Sequence, residues 1–190
     1  MFKVRWEDFA AKNKNPTDAF ETLCYHLFCR EHGIDKGIQA DFNHVGLETE
    51  PVNYKGESVG FQAKYFEKLI DYNPIKISIE KALEKYPNSL NKIIIYSNKP
   101  GKRTAEGREK IEVIAKRNNV QIEWFFPSQF EKELNNPENI DLLQYFFGKG
   151  QEYAFIKNSV NHKLLTKIRA SHQLTLPIKS KPSNIITPDL

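Results

Sequence analysis

The chain has 190 residues, 39% of them hydrophobic, which is enough for one globular domain with a sizeable core. Seven basic and two acidic residues follow Gly148, so residues 149–190 carry a net charge of +5. Residues 1–148 therefore carry −1 of the total of +4. The basic excess belongs to the C-terminal region, and charge permits a nucleic-acid partner without requiring one.

Cysteine content and hydropathy exclude several classes of protein. Cys24 and Cys29 are the two cysteines, too few for a disulfide framework or a zinc site. The N-terminus has no apolar signal-peptide region, and no run of about 18 apolar residues occurs. We expect a soluble, cytoplasmic protein without a membrane partner.

Helical and strand patterns alternate along the chain. A helix follows Asn15, which can cap it, and Gly33 ends it. Further helices are predicted over 71–86 and 104–119, with strands over 92–97 and 120–126. Two short helices then lead to Gly148. This alternation is typical of an α/β fold.

The C-terminal region differs in composition from the rest. Residues 153–170 predict a basic, weakly amphipathic helix, and residues 174–190 contain three prolines without periodicity. We therefore predict one domain over 1–148, followed by a basic helical extension and a proline-containing linker or tail over 149–190.

A predicted strand pair over 46–66 carries the polar residues of most interest. Its two halves alternate in character about a polar turn at 53–58. A three-residue loop, 55–57, would place Glu50 opposite Gln62 and Glu48 opposite Lys64, all on one face. The other face would be mainly apolar and would carry Leu47, Thr49, Phe61, Ala63 and Tyr65.

The polar face of this pair has two interpretations. Two carboxylates and an amide oxygen are suitable ligands for Mg²⁺ or Mn²⁺. Lys64 can stabilise an anionic transition state, so the set suits metal-assisted hydrolysis of a phosphodiester. Alternatively, the face is solvated and its Glu–Lys pairs contribute a few tenths of a kcal/mol. Spacing alone favours the solvated face.

The acid Glu21 is open to two interpretations as well. At helical spacing it lies beside Phe28, on the edge of the buried stripe of the first helix. It is either an ordinary boundary residue or an acid that faces the strand pair.

Three segments in order, AFETLCYHLF, GLETEPV and GFQAKYF, resemble the Mrr-like restriction endonuclease family of the PD-(D/E)XK nuclease superfamily. That family has a glutamate on the first helix, an acid after a Gly-hydrophobic pair, and a Q-x-K on the next strand. Glu21, Glu48, Gln62 and Lys64 match these positions, and Glu50 is an additional or competing acid. The family acid is usually aspartate, so the choice between Glu48 and Glu50 as principal metal ligand stays open.

The resemblance covers about residues 16–126 and implies a restriction-endonuclease-like core, with a mixed central sheet flanked by helices. It implies a DNA endonuclease that uses Mg²⁺ or Mn²⁺. The implied catalytic residues are Glu21, Glu48, Glu50, Gln62 and Lys64, and all of them except Lys64 would serve the metal. A non-cleaving nucleic-acid-binding or sensing module with the same fold is the alternative function.

The segment GFQAKYF and the C-terminal extension also resemble the N-terminal effector nucleases of bacterial antiphage NTPases of the STAND and AVAST type. This implies a longer chain with an NTPase and a sensor region, although these 190 residues contain no Walker A motif. One such site attacks one DNA strand at a time. We therefore expect a homo-oligomer to supply the two sites of a double-strand break.

Overall fold

The computed structural model describes residues 2–34 and 46–149, which form a four-stranded mixed sheet with helices on both faces. This confirms the predicted α/β fold class. The helices of this part are α1 (Trp6–Lys12), α2 (Pro16–Glu31), α3 (Tyr72–Lys85), α4 (Glu106–Arg117), α5 (Pro127–Leu134) and α6 (Ile140–Phe147), the last preceded by a 3-10 turn, Pro137–Asn139. The strands are β1 (Val52–Tyr54), β2 (Glu57–Lys64), β3 (Lys92–Ser97) and β4 (Gln121–Phe125).

The strand order in the sheet is β1-β2-β3-β4. Strand β1 is antiparallel to β2, whereas β2, β3 and β4 run parallel to one another. Lys64 at the end of β2 is the register partner of Ser97 at the end of β3. The carboxyl ends of β2 and β3 therefore lie at the same end of the sheet.

The chemistry of the helix ends explains the predicted boundaries. The Asn15 side chain accepts a hydrogen bond from the Asp18 amide (3.4 Å) at the start of α2, and Asp71 accepts from the Asn73 amide (2.9 Å) at the start of α3. Gly148 takes a left-handed conformation, φ +63°, and ends α6 as expected. Helix α1 was not predicted, although its Trp6 is buried.

Two hydrophobic cores lie on the two faces of the sheet. The α2 core packs α1, α2, α5 and α6 against one face and is rich in aromatic rings, among them Trp6, Phe9, Phe20, Phe28, Phe61, Tyr96, Phe130 and Phe146. The α3 core packs α3 and α4 against the other face and is mainly aliphatic, with Leu47, Ile75, Ile79, Leu83, Ile93, Ile95 and Ile111. The parallel strands are thus covered on both sides, as parallel sheets usually are.

The predicted three-residue loop of the strand pair is wrong. The turn has two residues, Lys55 and Gly56, at φ +51° and +85°, and Val52 lies opposite Val59. Positive φ at both positions is typical of type I′ turns, whose twist matches that of the flanking strands. The register is therefore shifted by one residue from the predicted one.

The residues predicted to share one apolar face of the strand pair lie in two different cores. Regular pairing with β2 stops at Val52, and residues 46–51 do not continue β1. Leu47 enters the α3 core, whereas Phe61 and Ala63 lie in the α2 core. Assigning Leu47 to the same face as Phe61 was wrong because strand alternation does not extend back to Leu47.

Several predictions fall outside the described residues. The basic helical extension and the linker or tail predicted over 149–190 belong there, apart from Lys149. The domain boundary after Gly148 stays a prediction. Within residues 2–34 and 46–149, none of the helices has both the length and the apolar character that a membrane span requires.

Gly46 brings the segment before β1 against α3. It has φ +89°, and a Cβ atom there would lie 2.4 Å from the Ala82 amide nitrogen and 2.7 Å from the Ser78 carbonyl oxygen. Next to it, Leu47 covers Gly60, where a Cβ atom would lie 2.5 Å from Leu47 Cδ1. The Gly-hydrophobic pair therefore fixes the position of the following residue, Glu48.

We expect Gly46→Ala to lower the free energy of unfolding by clearly more than about 1 kcal/mol, because it adds a backbone clash to the strain of positive φ. Gly56→Ala is the matched control, since Gly56 has nearly the same φ and no atom lies within 4 Å of the position that a methyl group would occupy there. Urea denaturation of both variants measures the difference. Equal destabilisation would show that the contact with α3 is not tight.

Candidate active site

Glu48 is buried beside β2, with 4% of its surface exposed. Its backbone amide donates to the Phe61 carbonyl oxygen (3.0 Å), and its carboxylate accepts from the Ala63 amide (3.1 Å). The carboxylate also accepts a short hydrogen bond from the side-chain amide of Gln62, which is itself 3% exposed. Glu48 therefore meets Gln62 and Ala63, not Lys64 as the predicted register required.

Burial gives Glu48 an unusual protonation equilibrium. Loss of water raises the pKa of this carboxyl, while the Ala63 amide, the Lys64 ammonium and the Gln62 amide each lower it. The net direction is upward, so the stabilising groups do not fully replace hydration. An additional positive charge at this position would favour the ionised form.

Glu21 on α2 lies within electrostatic range of the same group. Its pKa is raised to about 7, first by burial and second by repulsion from Glu48, whereas Lys64 lowers it. The structure thus brings Glu21, Glu48, Gln62 and Lys64 together from α2, the segment before β1, and β2. Glu21 is half-buried, as a boundary residue would be, and it is also within electrostatic range of Glu48 and Lys64.

The structure places Glu50 differently from Glu48. Its carboxylate accepts hydrogen bonds from the Lys85 ammonium (3.2 Å) and the Tyr86 hydroxyl (2.8 Å), and 62% of its side chain is exposed. Lys85 ends α3 and Tyr86 follows it. These contacts make Glu50 a link between the segment before β1 and the end of α3, whereas Glu48 is the acid that lies buried beside Gln62.

The residues present fit a Mg²⁺ or Mn²⁺ ion that keeps several waters. The described ranges contain no group of three or more Asp, Glu, His or Cys side chains that could hold a metal, so the predicted set of Glu21, Glu48 and Glu50 is not assembled. Mg²⁺ commonly takes one or two carboxylates and completes its octahedron with water. Glu48, the Gln62 amide oxygen and Glu21 supply oxygen ligands of this kind.

The two residues after Lys64 fix the end of β2 from opposite faces. The Tyr65 ring lies 6.0 Å from that of Phe9 and 5.8 Å from that of Phe20, in the α2 core. Phe66 packs against the α3 core. Both are packing residues rather than free stacking groups.

Sequence reasoning missed Asn98, which holds the backbone next to the site. Asn98 is fully buried; its Oδ1 accepts from the Phe66 amide (2.7 Å) and its Nδ2 donates to the Phe66 carbonyl oxygen (2.9 Å). An asparagine directly after a β-branched strand was the available signal, since a buried amide needs partners on both sides.

Comparison with known proteins adds no assignment: no protein-family model matches the chain, and no curated protein sequence matches it significantly.

We expect Glu21→Gln to stabilise the metal-free protein increasingly as pH rises from about 4.5 to above 7. The folded pKa of Glu21 is raised to about 7, so the stability that its proton contributes is complete below the unfolded pKa and lost as pH rises through 7. Glutamine imitates the protonated acid at every pH. The difference in thermal midpoint between variant and wild type, measured in EDTA from pH 4 to 8, tests this.

Glu84→Gln, at an exposed position on α3, controls for the loss of one negative charge. A difference for Glu21→Gln that stays constant over this pH range would contradict the burial of an ionisable acid at the site.

Proposed function

We propose that the protein is a metal-dependent DNA endonuclease that hydrolyses phosphodiester bonds. The observation that carries the proposal is the fixed arrangement of a buried Glu48 with Gln62, Lys64 and Glu21 at the end of β2. A solvated sheet face would leave the carboxylate hydrated. Glu48 is buried instead, which favours a chemical role over surface charge pairing.

Glu48 and Gln62 would hold the metal ion, with Glu21 as a ligand directly or through water. The ion, when bound, supplies positive charge to the phosphate and lowers the pKa of a bound water. These ligands come from elements fixed by both cores, and such rigidity is what a catalytic site requires.

Lys64 and Glu21 provide the remaining chemistry of hydrolysis. Water attacks phosphorus, one P–O ester bond breaks, and the leaving oxygen gains a proton. The Lys64 ammonium donates hydrogen bonds to the phosphate oxygens, where negative charge develops, or orients the water. Where Glu21 contacts the ion through water rather than directly, its carboxylate would accept the proton that the attacking water loses.

The sequence resemblance supports a narrower proposal about biological context. We propose that the domain is the effector of an antiphage protein whose longer chain carries an NTPase and a sensor region. One catalytic group cuts one strand, so a homo-oligomer would bring two groups to a duplex.

We expect Lys64→Ala to fold normally and to lose at least about a hundredfold in cleavage rate, the scale of one transition-state donor. Nicking of supercoiled plasmid in Mg²⁺, in Mn²⁺ and in EDTA provides the measurement. Lys81→Ala, at an exposed position on α3, is the control and should cleave like the wild type. Full activity in Lys64→Ala would exclude the proposed mechanism.

We expect Glu48→Gln to abolish metal-dependent cleavage and Glu50→Gln to leave most of it. The two glutamates are two residues apart, but Glu48 is buried at the site and Glu50 contacts Lys85 and Tyr86. Mn²⁺ affinity by calorimetry should fall in Glu48→Gln alone. Wild-type protein that binds DNA but cleaves in neither metal would instead support the non-cleaving module.

A further inference from the structure

The loop between β3 and α4, residues 98–105, is positively charged, unlike the domain as a whole. It carries Lys99, Lys102 and Arg103 and no acidic residue, whereas residues 1–148 sum to −1. Lys102 and Arg103 are exposed, and Lys99 is half-buried. We refer to residues 98–105 as the basic loop.

The basic loop begins beside the candidate active site. Ser97, the residue before it, is the register partner of Lys64. Neighbouring strands are about 4.8 Å apart, so the loop leaves the sheet about one strand spacing from Lys64. A second described loop at this end of the sheet, 65–71, carries Glu67 and Asp71 against Lys68 and adds no net positive charge.

Hydrogen bonds fix both ends of the basic loop. The buried Asn98 side chain bonds both backbone groups of Phe66, two residues after Lys64. Ser97 Oγ donates to the Lys99 carbonyl oxygen (3.0 Å) and accepts from the Lys99 amide (3.2 Å). At the far end, the Ala105 amide donates to the Lys102 carbonyl oxygen (3.2 Å).

Gly101 fixes the middle of the loop against two aromatic rings. A Cβ atom there would lie 2.7 Å from Phe126 Cζ and 2.9 Å from the Tyr72 hydroxyl oxygen. The backbone that carries Lys102 and Arg103 is therefore ordered before any ligand binds, which reduces the entropic cost of binding.

We infer that the basic loop binds backbone phosphates of duplex DNA and sets the position of the scissile strand relative to Lys64; this inference rests on the proposed function. Lysine and arginine contacts to phosphate position a duplex without reading its sequence. Single-stranded nucleic acids are usually held by exposed aromatic platforms. The basic loop has no aromatic residue, and Tyr72 and Phe126 beside it are partly buried against the α3 core.

Two matched double variants test the inference. Lys102→Gln with Arg103→Gln removes two exposed charges from the loop. Lys116→Gln with Arg117→Gln removes the same pair of charges from the last turn of α4. This turn lies near the start of β4, at the end of the sheet opposite to the basic loop. Binding to a 20-base-pair duplex is measured by fluorescence anisotropy in EDTA over a series of salt concentrations, so that cleavage does not interfere.

We expect the loop variant to bind the duplex about tenfold or more weakly at low salt, with a slope of log affinity against log salt smaller by about two. The α4 variant should bind nearly like the wild type. Equal effects of the two variants, or no effect of either, would overturn the inference and leave the nuclease proposal standing. The inference would also be overturned if the loop variant bound a 20-nucleotide single-stranded RNA more weakly than the wild type but bound the duplex equally well.

Failure of the proposed function has a separate signature. If the wild type does not cleave plasmid in either metal, the nuclease proposal fails, while a selective loss of duplex binding in the loop variant still supports phosphate binding by the loop.

Discussion

The carboxylate of Glu48 completes the hydrogen bonding of one edge of β2. Regular pairing with β1 ends at Val59. Beyond it, the Glu48 amide donates to the Phe61 carbonyl oxygen, and the Glu48 carboxylate accepts from the Ala63 amide. A buried backbone N–H without a partner would be costly. The interaction that satisfies the strand edge therefore also holds an acid beside Gln62 and within electrostatic range of Lys64.

That arrangement has an electrostatic consequence. Glu48 accepts two hydrogen bonds and lies within range of a lysine, yet burial remains the largest influence and raises its pKa. Burial likewise raises the pKa of Glu21, and the charge of Glu48 raises it further. The protein folds with two acids that favour protonation more than free glutamate does, and a divalent cation would offset the cost of ionising both.

The sequence predicted the elements whose signals are local. Caps at Asn15 and Asp71 and the β-branched run 92–97 determine α2, α3 and β3, and the structure has them within two residues of the predicted bounds. Helix α1 has only seven residues, too few for its periodicity to stand out. The hairpin register depended on one residue of turn length, and Lys55 at positive φ gave no signal because lysine rarely adopts that conformation.

The candidate site was predictable in part for the same reason. Q-x-K on β2 and the Gly-Leu-Glu segment are short local patterns, so Gln62, Lys64 and Glu48 were identified from sequence. The separation of Glu48 from Glu50 was not, because it depends on the contact of Gly46 with α3 and on the Lys85 and Tyr86 side chains. Such long-range contacts leave no periodic trace in a single sequence.

Packing, more than charge, sets how close Glu21 comes to Lys64. Both side chains are only partly buried, and solvent screening keeps the attraction between such groups to about 1 kcal/mol or less. Their sequence neighbours are in firmer contact: Phe20, next to Glu21, packs on Tyr65, next to Lys64, and both rings pack on Phe9. Large aromatic side chains contribute more through buried area than such a charge pair does. The aromatic α2 core therefore holds helix α2 against the end of β2, whichever protonation state Glu21 adopts.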